Sequence, residues 1–191
     1  AARPYTLEKE GMRIAIINFC ENEWSIAQKN KPGANPLDIV SNFYQLKKAK
    51  SKADHVIVII HGGHEHFQLP SPRMINLYRY FIDLGASAVI GHHTHCFSGF
   101  EIYKDSPIYY GLGNFIFTSH YKEKPTFFEG MILHLNFNNK KIEGQIIPIR
   151  FDRGTSRLKL MNQIDLQNFN ENLNNLNRII SDKTLIENHF D

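Results

Sequence analysis

Six of the chain's ten histidines fall in two short bursts, His61-Gly-Gly-His-Glu-His66 and His92-His93-Thr94-His95. Imidazole nitrogens are good ligands for zinc, iron, manganese, nickel and copper. Residues i and i+2 of an extended segment point the same way, so His93 and His95 would aim two rings at one locus. His61 would supply a third. Glycines at 62, 63 and 91 let backbone come close to an ion or a substrate. These residues predict a metal centre with His61, His93 and His95 as ligands. His64, His66 and His92 are neighbours that could orient ligands, face substrate or stand exposed. A two-ion hydrolytic centre also calls for a bridging carboxylate. The local candidates are Glu21 and Glu23, at the end of an adjacent predicted strand, as replacement ligands or a general acid.

Two bursts can share a site only if the fold brings them together. Each follows an apolar run, residues 55–60 and residues 86–91. Between them Ser71 is placed as a helix cap and Pro72 at the first turn. Met74, Leu77, Tyr78, Phe81, Ile82 and Leu84 recur at helical spacing, and Gly85 ends the run. Strand, helix and strand with short links predict a right-handed crossover and a parallel pair. Both bursts then emerge on one edge of the sheet, where open α/β sheets place their sites. Upstream, Met12 to Phe19 reads as a further buried strand. Asn35 as cap and Pro36 at the first turn predict a helix to about Ser51, with Leu37, Val40, Phe43, Tyr44 and Leu46 packed on the sheet. Downstream, Phe100 to Tyr110 and Met131 to Ile149 read as hairpins, and Arg157 to Met161 as a strand. From Gln163 onward Leu166, Phe169, Leu173, Leu176 and Ile180 predict a helix. The organisation expected is one domain over 1–162 and a helical extension over 163–191.

Composition narrows the function classes. The 191 residues are 42% hydrophobic and 21% charged, with a net charge of +3, which suits a globular domain. The lysines are scattered except at Lys47-Lys48-Ala-Lys50-Ser-Lys52, read as the solvated end of a helix, with a phosphate or polymer contact as the alternative. No nucleic-acid-reading motif is present. Neither is a Gly-x-Ser-x-Gly elbow or a P-loop. Cys20 and Cys96 form no framework and read as buried thiols, with a metal role open to Cys96. No apolar run reaches the ~18 residues of a membrane span. The expected location is cytoplasmic, or exported if a signal has been lost ahead of Ala1.

The strings Val56-Ile-Val-Ile-Ile-His-Gly-Gly-His-Glu65, Tyr80-Phe-Ile-Asp-Leu-Gly85-Ala-Ser-Ala-Val-Ile-Gly91-His-His-Thr-His95, Pro107-Ile-Tyr-Tyr110 and Leu112-Gly-Asn-Phe-Ile-Phe117 resemble the C-terminal half of CapA-type proteins. These are poly-γ-glutamate capsule-synthesis proteins of the calcineurin-like metallophosphoesterase superfamily. The resemblance runs from about Gly11 to Met131. It implies an α/β fold that is the mixed-sheet part of a four-layer α/β/β/α sandwich. It also implies that His61, His93 and His95 hold one or two divalent ions (Mn, Zn or Fe). Glu65 would stand beside the ligands, and Asn114 and His64 would face a phosphoester or polymer substrate. His93 and Glu23 are the candidates for acid catalysis. The family pattern opens with an Asp-bearing strand, an Asn-Leu-Glu segment and an Asn-Asn-His-x-x-Asp segment, none of which occurs in this chain. The expectation is that the N-terminal half of the fold is missing and that a second chain or a missing segment completes the site. The alternative function is a non-catalytic binding or assembly module of a capsule or polyglutamate synthesis system.

Overall fold

The computed structural model describes residues 2–21, 25–117, 125–138 and 141–190. Its centre is a six-stranded mixed sheet in the order β1-β2-β3-β4-β6-β5. The strands are β1 (Tyr5–Lys9), β2 (Met12–Cys20), β3 (His55–His61), β4 (Ala88–His92), β5 (Phe100–Tyr103) and β6 (Ser106–Tyr109). Strands β2, β3, β4 and β6 are parallel, and β1 and β5 close the edges antiparallel. A second, antiparallel sheet holds β7 (Glu129–Phe137), β8 (Ile142–Asp152) and β9 (Arg157–Leu160).

Side-chain alternation along the central strands separates two cores. Ala15, Ile17, Phe19, Val56, Val58, Ile60 and Val89 face the helices α1 (Ile39–Lys50) and α2 (Pro72–Asp83). The same core takes Phe169, Leu173, Leu176 and Ile180 of α3 (Gln163–Ser181) and Ile186 of α4 (Lys183–Phe190). Ile14, Ile57, Ala88, Ile90 and Tyr109 face the other way, onto Ile142 and the partly buried Leu133, Leu135 and Phe137 of the second sheet. The layers are thus helices, mixed sheet, antiparallel sheet. Gln163 to Phe190 is joined to the main core, with Asn177 Oδ1 accepting from the Phe100 N–H at 2.7 Å.

The crossover β3–α2–β4 is as the sequence predicts, because its signals are local. The Ser71 side chain accepts from the Met74 N–H, Pro72 opens the helix, and Gly85 takes a φ of +104° just beyond its end. The strand over residues 5–9, which reads from sequence only as extended and polar, pairs with β2 through a two-residue turn. Glu10 and Gly11 both have positive φ there, as a tight hairpin requires.

Helix α1 corrects two expectations. Asp38, not Asn35, is its cap, and its side chain accepts from the Ser41 N–H. Asn35 is buried instead, donating to the Asn18 carbonyl and to Gln45. The buried line of the helix is Asn42, Leu46 and Ala49, so Val40 and Tyr44 do not pack on the sheet but face outward. The polar Asn42 is half satisfied inside: its amide N–H donates to the Pro36 carbonyl at 3.1 Å, while its Oδ1 is buried with no hydrogen-bond partner among the described residues. Cys20 and Cys96 are both buried and unbridged. No helix among the described residues is long and apolar enough to cross a membrane, which leaves strand-built membrane structures unaddressed.

Candidate metal centre

The register His61↔His92 between β3 and β4 puts the two histidine loops side by side at the C-terminal ends of parallel strands. Two backbone bonds then join the loops, and a third ties the His61 loop to the end of β2. The Gly62 N–H donates to the His92 carbonyl, the His66 N–H to the Thr94 carbonyl, and the Glu21 N–H to the His61 carbonyl. This locking holds side-chain-bearing residues in the left-handed region, which L residues seldom adopt. His66, His93 and His95 have φ of +65°, +97° and +56°. Such conformations cost about 1–3 kcal/mol each and gather at functional sites.

His93 Nδ1 lies 3.1 Å from His61 Nε2, with ring centres 4.7 Å apart. His95 stands 6.1 Å from His93, ring centre to ring centre. Its Nδ1 is 2.9 Å from Asn114 Oδ1. Asn114 Nδ2 donates to the carbonyls of His95 and Phe127, which fixes the amide the right way round. Its Oδ1 must therefore accept, so His95 carries its proton on Nδ1 and keeps the Nε2 lone pair for a ligand. Phe117 and Phe127 support the His95 ring at centroid distances of 4.7 and 5.7 Å. A cavity of about 350 Å³ runs along this edge, lined in part by His61, His93, His95 and Asn114. A larger one, about 560 Å³, lies elsewhere, between Phe128, Arg153 and Leu160.

The carboxylates are arranged differently from the donors. Glu65 Oε1 is 3.9 Å from His93 Nε2, and its other oxygen is 4.0 Å from His66 Nε2. Glu21 faces away from the histidine pair into a clamp. Its Oε2 accepts from the Gly63 N–H at 2.7 Å and its Oε1 from Arg73. Burial pushes the Glu21 carboxyl up, but the Arg73 guanidinium, the Gly63 N–H and the charge of His93 outweigh it and hold it below its ordinary value. A Cβ at 62 would come within 2.8 Å of three Glu21 side-chain atoms, so any larger residue there would push the Glu21 carboxylate out of its clamp. Glu21 is thus committed to holding the His61 loop. Burial and the charge of His61 push the neighbouring His92 down, so it favours the neutral form.

Sequence-predicted residues fall into three groups. His61, His93, His95 and Asn114 share one cavity. His64 lines a separate cavity of about 140 Å³ with Glu21, Ser71 and Arg73. Glu23 lies outside the described residues. Sequence reading missed Arg73, Phe127 and the stacking of His66 on His95 at 6.1 Å. Each depends on a contact remote in the chain, and no local pattern announces it.

Among the described residues, no three His, Cys, Asp or Glu side chains are gathered tightly enough to hold an ion as they stand. The donor chemistry nevertheless fits one in part. Two tetrahedral ligands at about 2.0–2.1 Å from a zinc ion lie about 3.3–3.4 Å from each other, and His61 Nε2 and His93 Nδ1 stand at 3.1 Å in a ring-to-ring hydrogen bond whose proton an ion would replace with a small opening of the pair. His95 Nε2 is the oriented third donor. An amide or carboxylate holding the far nitrogen, as Asn114 does, is the usual support of a ligating histidine.

Comparison with known proteins bears on the same stretch. The family described as bacterial capsule synthesis protein PGA_cap matches residues 1–119. The capsule biosynthesis protein CapA of Bacillus anthracis is 37% identical over 113 residues, which cover 56% of this chain and 28% of that protein. The PGA biosynthesis protein CapA of Bacillus subtilis (strain 168) is 37% identical over 109 residues, covering 56% and 29%. The alignments thus span under a third of those relatives' lengths. A hypothetical protein from Thermus thermophilus superposes at a TM-score of 0.45 with 16% identity, over 76% of this chain and 61% of that one, too loosely to bear on the fold. The family match takes in more than half of the 191 residues and both histidine loops, and the chain belongs to the bacterial capsule synthesis protein family PGA_cap.

Proposed function

We propose that this chain carries the histidine half of a metal-assisted hydrolytic or transfer site serving capsule polymer synthesis. The observation that carries this reading is the approach of His61 Nε2 to His93 Nδ1, beside a His95 whose tautomer Asn114 fixes. His61, His93 and His95 would hold a divalent cation such as manganese, zinc or iron. A cation there would polarise a phosphoryl or acyl oxygen and make water a stronger acid. The protein groups do the rest. Asn114 orients His95, and Glu21 and Arg73 hold the His61 loop. The carboxyl of Glu23 would protonate a leaving oxygen, a role His93 could take only as an imidazolium released from the cation, with His61 and His95 left as the nitrogen ligands. On this reading the three layers belong to a four-layer metallophosphoesterase-like sandwich, and the acidic ligands come from a further segment or a second chain. The CapA relatives, named for capsule and PGA biosynthesis, make an anionic polymer or its phosphoester precursor the substrate class to test.

Metal content after loading with Mn²⁺, Zn²⁺ or Fe²⁺ and hydrolysis of phosphomonoester and phosphodiester probes test this reading. Bound metal lost in His93→Ala supports it. No bound metal, and no change in rate on His93→Ala, would sink it.

One observation favours a second reading, a non-catalytic binding or assembly module. Of the described carboxylates near the histidines, Glu21 is spent on Arg73 and Gly63, and Glu65 approaches His93 Nε2 only to 3.9 Å. Metal binding without turnover on any phosphoester or γ-glutamyl probe, alone or with the other capsule proteins, would select that reading.

A further inference from the structure

Helix α1 presents its apolar residues to solvent. Val40 and Tyr44 are each 68% exposed, while Asn42, Leu46 and Ala49 form the buried line on the opposite side. At 100° per residue, Val40, Tyr44 and Lys47 fall within about 60° of one another on the outermost line, with Phe43 and Lys48 flanking it. The first half of that line is apolar and the second half is cationic.

The lysines are available. Lys47, Lys48 and Lys52 are in no ion pair among the described residues. Lys47 lies 5.8 Å over the Phe43 ring, and Lys50 donates only to the Asp54 carbonyl. The acid at the start of the helix, Asp38, is occupied as its cap.

We propose that this face of α1 docks in the plane of an anionic lipid bilayer, with Val40 and Tyr44 entering the headgroup boundary and Lys47 and Lys48 meeting the lipid charges. The physics is that of an interfacial helix, in which apolar burial and attraction to anionic headgroups add. Charge selects this occupant over a second copy of the chain, because two such faces would bring like charges together. The contact lies on the surface, needs no membrane-spanning helix, and is independent of the histidine site.

Co-sedimentation of the whole chain with phosphatidylcholine vesicles, with and without 30% phosphatidylglycerol (about a third of the lipid, within the anionic range of cell membranes), tests it. Binding is expected only to the anionic vesicles and should weaken as salt rises. Lys47→Glu/Lys48→Glu should lower the partition coefficient about 25-fold or more, since each lysine near the surface is worth about a fivefold factor. Val40→Ser/Tyr44→Ser should lower it about tenfold or more. Arg178→Glu/Lys183→Glu, the same charge change on α3 and α4, should leave it within about twofold. Circular dichroism and thermal melting, which these surface changes should not move, confirm folding. Equal binding to neutral vesicles, full binding by either α1 variant, or an equal loss with the α3/α4 variant would overturn the proposal. So would sedimentation equilibrium showing a dimer that Val40→Ser/Tyr44→Ser dissolves, because the face would then belong to a second copy.

Discussion

The histidine edge and the arginine clamps place charge and donors in opposite ways. At the edge, two ring nitrogens sit 3.1 Å apart, backbone is held at positive φ, and Glu65 approaches the pair only to 3.9 Å. At the clamps, each cation meets its acid. Arg79 donates to both oxygens of Glu101 at 2.9 and 2.6 Å, and Tyr110 donates to the same carboxylate. Arg150 lies between Glu129 and Asp165. The clamps are finished structure, since a satisfied buried pair gains nothing from a further ligand. The edge concentrates donors and strain, as the proposed metal site would require and as a part that only holds the fold would not. The contrast teaches where substitutions should cost binding and where they should cost stability.

The widest separation is expected at His93. His93→Ala should abolish metal binding, at least about a hundredfold in affinity if it is one of three ligands, with thermal stability little changed, because alanine keeps the Cβ and so the same strain at a φ of +97°. Isothermal titration with Zn²⁺ and a melting curve check both halves. Asn114→Ala should lower metal affinity about 10–100-fold by releasing the His95 tautomer. The same titration measures it, and an unchanged affinity would mean that His95 is not a ligand.

The clamps should behave in reverse. Glu101→Ala leaves Arg79 and the Tyr110 hydroxyl without their acceptor. A fully buried broken pair costs about 3–5 kcal/mol, and the partial exposure of Arg79 brings the expectation to about 2–3 kcal/mol. Urea unfolding should show the loss while metal affinity stays within about twofold. The smallest effect belongs to the surface turn at Asp152. Its carboxyl is lowered to about 2 by Lys159 and by the hydroxyl and N–H of Thr155 and the Gly154 N–H. A depressed carboxyl stabilises the fold fully above its ordinary 3.8 and loses that contribution as pH falls through about 2. Asp152→Asn should flatten the stability profile in that window alone, as read by melting at stepped pH.

The same contrast governs what could be read from the chain. The crossover that unites the histidine loops was legible because every signal for it is local: the Ser71-Pro72 start, the spacing from Met74 to Ile82, Gly85 at the end. The layer order beyond it was legible only as a resemblance. Helix α1 was half legible. Its existence followed from periodicity, but two lines fit the spacing, and the more hydrophobic one faces out. The buried line includes Asn42, which donates to the Pro36 carbonyl but leaves its Oδ1 unpaired among the described residues, so neither periodicity nor hydrophobicity encodes the choice. That His61, His93 and His95 share one cavity was legible, and what supports them was not. Glu21 reads as a spare carboxylate at a strand end, yet it is spent on Arg73, 52 residues away. Phe127 reaches His95 from the start of the second sheet. Both depend on how distant segments pack.

The central claim is that the histidine edge is a metal site built from His61, His93 and His95. Its most direct test is a crystal structure of the metal-loaded chain with anomalous scattering collected on either side of the zinc or manganese absorption edge. The account predicts an anomalous peak within about 2.0–2.3 Å of His61 Nε2 and His93 Nδ1, with His95 Nε2 as the third nitrogen. No peak at that edge, or a peak held by other residues while His61 and His93 keep their direct contact, would contradict it.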